Sequence, residues 1–128
     1  MKNTTQSPTT AAKAATILLK VKCQQKGELS ALFTGKRYLT RGIEAEIPPI
    51  TQLLLWELID EQNAIGAELD YLQVFRLKPD GKQQKITHSQ EQPPYEHECY
   101  LLGPEPITAK IFVIDDGDHS TMMLAEEY

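Results

Sequence analysis

The sequence predicts an α+β domain, in which a twisted, mainly antiparallel sheet carries one principal helix across one face. One stretch, Pro48 to Gly66, has the periodicity of a clear amphipathic helix. Several short apolar runs are separated by Pro- and Gly-bearing turns at hairpin-like spacing. The 128 residues contain no internal repeat or low-complexity linker. We therefore expect a single domain over residues 33–128, preceded by an N-terminal extension over residues 1–32.

The extension begins with a polar segment, residues 1–10, that has no apolar periodicity and predicts a disordered tail. Residues 11–27 fit either an alanine-rich helix ended by Gly27 or a helix that gives way to a strand over Ile17–Cys23. The helix is the preferred interpretation.

Two prolines fix the start of the principal helix, and Gly66 marks its end. At 100° per residue, one broad side collects the residues that we expect to face the core: Ile50, Leu54, Leu55, Leu58, Ile59 and Ile65. Leu53 and Trp56 project from the polar side instead. They require either a cover within the chain or a binding partner, and they are the candidate apolar anchor.

Five segments have the composition of β-strands: Lys36–Ile43, Leu69–Leu77, Lys82–Gln90, Tyr95–Leu102 and Ile107–Ile114. Leu69–Leu77 is apolar on both sides, which predicts a central position, and the turn at Pro79–Gly81 joins it to a more polar strand nearer an edge. Met122, Met123 and Leu124 are expected to pack onto the sheet edge.

Charge is distributed unevenly along the chain, whose net charge is −5. Residues 1–41 hold eight basic residues and one acidic residue, whereas residues 42–128 hold five basic and seventeen acidic residues, a balance of −12. An acidic body argues against binding of nucleic-acid phosphates and fits a positively charged partner, although solubility alone also explains it. Two cysteines and no signal peptide or membrane-spanning stretch predict a soluble cytoplasmic protein.

His97 and Cys99 lie two residues apart on a predicted strand and therefore share one face. Such a pair can contribute to a zinc site, with His88, Cys23 and His119 as candidates for the remaining ligands. The alternative is a buried thiol beside a hydrogen-bonded histidine, because no second spaced pair is present.

Asp115, Asp116 and Asp118 follow a strand and resemble a cluster of ligands for a divalent cation. Their spacing does not match a calcium loop, and turn and capping roles, with Gly117 at positive φ, are favoured. The sequence contains no nucleophile elbow, phosphate loop or dinucleotide fingerprint. These observations predict a protein that is not an enzyme.

Several ordered segments resemble the family called domain of unknown function 960: KRYLTRGI, LLLWELIDE, LDYLQVF, QKITHSQEQPPY and IFVIDDGDHSTMMLAEEY. The resemblance covers residues 33–128, and the His97 and Cys99 pair departs from the family pattern. It implies a setting in Gram-positive bacteria, their phages and plasmids rather than a reaction. Small acidic proteins of mobile elements, anti-CRISPR proteins among them, often bind and block a host enzyme.

The leading hypothesis is a non-enzymatic inhibitor or interaction protein of mobile-element origin, directed for example at a type II CRISPR nuclease. Its apolar anchor would be Leu53 and Trp56, and its charged complement would be Asp115, Asp116 and Asp118. One alternative is a zinc-binding protein or a zinc or thiol enzyme that uses His97 and Cys99. The other is a nucleic-acid-binding module that uses six basic residues: Lys20, Lys22, Lys26, Lys36, Arg37 and Arg41.

Overall fold

A computed structural model describes residues 32–128 of the protein. The elements, in chain order, are β1 (Lys36–Leu39), α1 (Arg41–Glu46), α2 (Pro49–Ala64), β2 (Leu72–Asp80), β3 (Gln83–Gln90), β4 (Tyr95–Leu102), β5 (Ala109–Asp115), β6 (His119–Leu124) and a final 3₁₀ helix, Ala125–Glu127. The tail and helix predicted for the N-terminal extension lie outside the described residues. Within residues 32–128, no helix is long and apolar enough to cross a membrane.

The six strands form one sheet in the order β1-β6-β5-β2-β3-β4. Only the β1–β6 pair is parallel, and the other four pairs are antiparallel. The predicted α+β class, with a mainly antiparallel sheet and one main helix, is therefore confirmed. The central position predicted for Leu69–Leu77 is also confirmed, because β2 lies between β5 and β3. The strand itself is shifted along the chain, to Leu72–Asp80.

The turn between β2 and β3 has the predicted chemistry. Asp80 is paired with Gln83, which leaves Gly81 and Lys82 as the two loop residues of a tight hairpin. Gly81 has φ +63°, a value that glycine adopts without the steric cost of a Cβ atom.

The strand predicted over Lys36–Ile43 is correct only in its first half. It ends at Leu39, and Thr40 becomes the N-cap of α1, with its Oγ1 accepting a hydrogen bond from the Ile43 amide at 3.4 Å. A threonine suits a strand and a helix cap equally well, so its β propensity alone pointed to the wrong structure.

The C-terminal segment is not an attachment to the sheet edge, as expected, but an internal strand. Met122, Met123 and Leu124 belong to β6, which pairs with β5 on one side and with β1 on the other. The short parallel strand β1 takes the edge position. Sequence patterns do not reveal a pairing between residues so far apart in the chain.

Helix α2 packs across one face of the sheet through its middle turns. Leu55 and Ile59 are fully buried there, and Leu58 is nearly so. The prediction that Ile50 and Ile65 face the core is wrong, since Ile50 is 51% exposed and Ile65 is 69% exposed. They lie in the first turn of the helix and just past its last turn, where the core no longer faces it.

The alternation of side chains gives the sheet two faces. The helix-covered face carries the core, including Phe75, Leu77, Ile86, Ile111, Val113 and Met122. The open face consists of the alternate strand positions, and its charged members are Lys36, Arg76, Lys78, Asp80, Lys85, Glu96, Glu98 and Lys110. Within residues 32–128, no α-helix packs across the open face.

Candidate functional site

A hydrogen-bonded group of polar side chains is buried on the helix-covered face between β2 and β3. Gln73 is fully buried, and His88 is 1% exposed. His88 Nε2 lies 2.6 Å from Gln73 Oε1, and because that oxygen can only accept, the histidine donates. Gln73 Nε2 donates to Gln90 Oε1 at 2.8 Å, and Gln90 Nε2 donates to the Pro93 carbonyl oxygen at 2.8 Å. The group thereby ties the loop that follows β3 to the core of the sheet.

Burial lowers the pKa of His88 to about 4, with a smaller effect from the nearby His97. The ring also stacks on Phe75, with 4.3 Å between ring centroids. His88 is therefore a neutral core residue at physiological pH, held by packing and by one hydrogen bond.

The sheet brings together part of the predicted zinc site. His97 lies directly opposite His88 in the β3–β4 register, and Cys99 shares that face. However, no group of three or more His, Cys, Asp or Glu side chains within residues 32–128 is placed to hold a metal ion. Of the other proposed ligands, His119 lies on β6 beside the edge strand β1, far from β4, and Cys23 lies outside the described residues.

Cys99 does not have the environment of a reactive thiol. Burial raises its pKa above the usual value, and the carboxylate of Glu61 raises it further. A thiolate nucleophile requires the opposite shift, because only the deprotonated sulfur attacks. The raised pKa of Cys99 therefore does not favour the thiol-enzyme alternative.

The last residue of β5, Asp115, and the two aspartates that follow it, Asp116 and Asp118, form a hydrogen-bonded turn. Asp115 accepts from the Phe33 amide at 3.1 Å and from the Gly117 amide at 3.3 Å, and Gly117 has φ +102°. Asp118 Oδ1 lies 2.8 Å from His119 Nδ1, and Asp116 Oδ2 lies 3.3 Å from His119 Nε2. Hydrogen bonding to Asp118 is the main cause that raises the pKa of His119, and the same bond lowers the pKa of Asp118.

The two residues of the proposed apolar anchor, Leu53 and Trp56, differ in exposure. Leu53 is 63% exposed, whereas Trp56 is only 8% exposed. The Arg37 guanidinium lies 4.6 Å from the centroid of a Trp56 ring and forms an ion pair with Asp60. Trp56 therefore has the cover within the chain that the sequence allowed for, and Leu53 does not. The matching exposed apolar neighbour of Leu53 on α2 is Ile50, one turn earlier.

The main feature that sequence reasoning missed is the separation of charge between surfaces. The described residues hold eight basic and seventeen acidic side chains. The open face carries five of these basic residues and only three of the acidic ones, which is a net charge of +2. The other described residues together carry a net charge of −11. Strand alternation could have shown that Arg76 and Lys78 share a face, but their neighbours on other strands depend on the pairing register.

Comparisons with known proteins place the chain in a family without an assigned activity. The sequence profile described as "Staphylococcal protein of unknown function (DUF960)" matches residues 36–127. A crystal structure of a protein of unknown function from Enterococcus faecalis is similar, with a TM-score of 0.63 and 27% sequence identity. The match covers 73% of this chain and 91% of that chain. No curated protein matches the sequence. From the extent of the profile match and the shared fold, we conclude that the chain belongs to the DUF960 family.

Proposed function

We propose that this protein is a non-enzymatic interaction protein whose acidic side binds a positively charged surface on a protein partner. The observation that carries the proposal is the net charge of −11 that residues 32–128 carry outside the open face, where fourteen acidic residues accompany three basic ones. One of those three, Arg37, is already paired with Asp60. Such a surface attracts a basic partner over about a Debye length and repels nucleic acid.

The anchor of this surface is the outward side of the first turns of α2, where Ile50 and Leu53 are exposed. Ile50 and Leu53 lie one turn apart, and the exposed Glu44 and Glu46 on the preceding helix α1 add negative charge nearby in the chain. An exposed leucine on an acidic part of the chain fits a partner pocket that is apolar at its centre and basic at its rim.

Asp116 and Asp118 are the second acidic element, at the end of the sheet near Phe33. The side chain of Asp118 is 92% exposed and that of Asp116 is 53% exposed. Asp115, by contrast, uses its carboxylate on the Phe33 and Gly117 amides and serves the turn itself. A partner would therefore meet Asp116 and Asp118 rather than Asp115.

The partner to test first is a type II CRISPR nuclease, because its channel for nucleic acid is positively charged. The experiment measures co-elution of the full chain with the purified nuclease on size exclusion, together with inhibition of DNA cleavage. The proposal expects a complex that Leu53→Ala weakens about tenfold, as expected for the removal of a central apolar anchor. Replacing both Asp116 and Asp118 by Lys should slow association most strongly at low salt.

The matched control is Leu102→Ala, which removes a leucine that is 70% exposed on the open face. It should leave the complex unchanged. Equal weakening by Leu53→Ala and Leu102→Ala would contradict the assignment of the surface. The proposal of an acidic binding side would be abandoned if neither this nuclease nor other basic nucleic-acid enzymes of the host formed a complex.

A further inference from the structure

We propose that the open face of the sheet is a second binding site and that it takes single-stranded nucleic acid. The site is centred on Arg76, Lys78 and Lys110, which we call the cationic strip. Phe112 and Tyr128 lie beside them. It is a different surface from the acidic side described above, and either one can bind its partner without the other.

Like charges are placed against each other on this face. Arg76 on β2 lies directly opposite Lys110 on β5, and Lys78 lies directly opposite Lys85 on β3. Side chains at directly opposed positions are about 5 Å apart at Cβ, and like charges there destabilise a sheet. A bound polyanion would offset this repulsion, because its phosphates attract each cation.

Among residues 32–128, three of these four cations have no acidic partner. Lys85 forms an ion pair with Glu98 at 3.3 Å, and hydrogen bonding to Glu98 raises its pKa. Arg76 instead donates to the Ser89 hydroxyl at 3.4 Å. Within residues 32–128, no carboxylate oxygen lies within 4 Å of a charged nitrogen of Arg76, Lys78 or Lys110. The three cations are therefore available to phosphates.

An aromatic surface lies next to the cations. Phe112 is two residues from Lys110 on the same face of β5, and the Lys110 ammonium lies 5.5 Å from its ring centroid. Tyr128 packs edge-on against Phe112, with centroids 5.6 Å apart, and remains 75% exposed. An exposed ring, Tyr128, that is backed by the half-buried Phe112 and lies beside these cations can hold an unpaired base by stacking while the backbone is neutralised.

The acidic residues of the open face are positioned to limit the site rather than to block it. Glu96 and Glu98 are on the edge strand β4, and Asp80 is at the end of the β2–β3 hairpin. The cationic strip is on β2 and β5, in the middle of the sheet. The nucleic-acid path therefore crosses β2 and β5, away from β4. A duplex would present its bases already stacked, so the aromatic rings favour a single strand.

The test measures fluorescence anisotropy of labelled dT and U oligonucleotides of about 12 nucleotides, and of a duplex of the same length, with the full chain at about 50 mM salt. We expect binding of the single strands in preference to the duplex. The double variant Arg76→Glu with Lys110→Glu should bind at least about tenfold more weakly. Its salt slope should fall by about 1.4, because each of the two phosphates that these cations neutralise accounts for about 0.7. A deoxyuridine oligonucleotide, which differs from the U strand only at the 2′-hydroxyl, shows whether that group contributes.

Two further variants separate the parts of the site. Tyr128→Ala should weaken single-strand binding by about fivefold or more with little change in the salt slope, because stacking is not an ionic interaction. Lys82→Glu makes the same charge change as Lys110→Glu at an exposed position in the hairpin turn and should have little effect. If the double charge reversal fails to fold by circular dichroism, Lys78→Gln and Lys110→Gln provide the milder form of the test.

The basic N-terminal residues are the competing explanation for nucleic-acid binding, so variants of them are compared with the open-face variants. If replacing Lys20, Lys22 and Lys26 by Glu abolishes binding while the open-face variants bind normally, the proposal is overturned. Absence of single-strand binding at low salt overturns it as well. Equally tight binding of a polyglutamate peptide that Tyr128→Ala does not weaken would assign the face to acidic protein segments instead and so refute the nucleic-acid site.

Discussion

The two faces of the sheet differ in chemistry although their residues alternate along the same strands. On the helix-covered face, Phe75 and Ile111 are fully buried, and His88 is kept neutral. One residue away along the same strands, Arg76 and Lys110 meet on the open face without a carboxylate within 4 Å among the described residues.

This difference shows that charge along a chain and charge on a surface are separate properties. Residues 42–128 have a balance of −12, yet four of their five basic residues lie on one face of the sheet. Under the proposal for the open face, the expectation that the acidic body avoids phosphates would apply only to the rest of its surface. An acidic protein can carry a basic surface when strand alternation sorts the side chains.

The largest expected effect is a difference in stability when a phenylalanine is truncated on each face of the sheet. Phe75→Ala should lower the free energy of unfolding by about 3–5 kcal/mol, because it leaves a cavity in a fully buried site. Phe112→Ala, at the half-buried neighbouring position, should cost less than half as much. Urea denaturation of both variants measures the two values. Similar destabilisation by both would show that the open face is covered in solution.

A second, smaller effect uses the ionisation of the buried histidine. The pKa of His88 is about 4 in the folded chain against an ordinary value of 6.5, so the unfolded chain binds the extra proton first as the pH falls. Stability due to His88 is complete above pH 6.5 and declines as the pH falls towards 4. The decline should be on the order of 3 kcal/mol. Urea unfolding at a series of pH values gives this slope.

His88→Gln is the control for that slope, since its amide can still donate to Gln73 but does not titrate. His119 supplies a contrast of opposite sign. Asp118 raises the pKa of His119, so the stabilisation from that pair is present below pH 6.5 and fades as the pH rises through the raised value. NMR titration of the ring protons distinguishes the two histidines, and a normal pKa at His88 would refute its burial.

The smallest expected effect concerns the energetic cost of the cationic strip. Lys110→Glu replaces a like-charged pair with an opposite-charged pair across from Arg76. It should raise the free energy of unfolding by about 0.2–1 kcal/mol at low salt, while it weakens nucleic-acid binding. Lys82→Glu, away from any directly opposed cation, should not show the gain. A decrease in stability in Lys110→Glu would mean that Lys110 packs on Phe112 more than it repels Arg76.

Much of the fold could be predicted from local patterns. Helix α2 begins at Pro49 because proline suits a first helical turn, and it ends before Gly66, which has a positive φ. The bounds of β4 follow from the alternation of apolar and polar side chains. These effects act within a few residues. The split of KRYLTRGI at Thr40 could not be predicted in the same way. That cap is supported by Glu127, which accepts from the Thr40 hydroxyl at 2.6 Å from the other end of the chain.

The candidate sites show the same limit. Alternation correctly placed His97 and Cys99 on one face, and glycine chemistry correctly indicated a turn at Gly117. The sequence allowed either a partner or an internal cover for Trp56, and the choice depended on Arg37 arriving from β1. No local pattern indicated that His88 would bond to Gln73, because that hydrogen bond requires β2 and β3 in their observed register.

Composition, short-range periodicity and ordered motifs were enough to establish the α+β class, the principal helix, the central strand and the family. The class, the helix and the strand depend on side-chain preferences and turn geometry, which are local properties of the chain. The placement of β6 inside the sheet, the cover over Trp56 and the gathering of cations on the open face arose only from tertiary pairing. They depend on which distant strands become neighbours, and that choice is made by burial of the whole core rather than by any one segment.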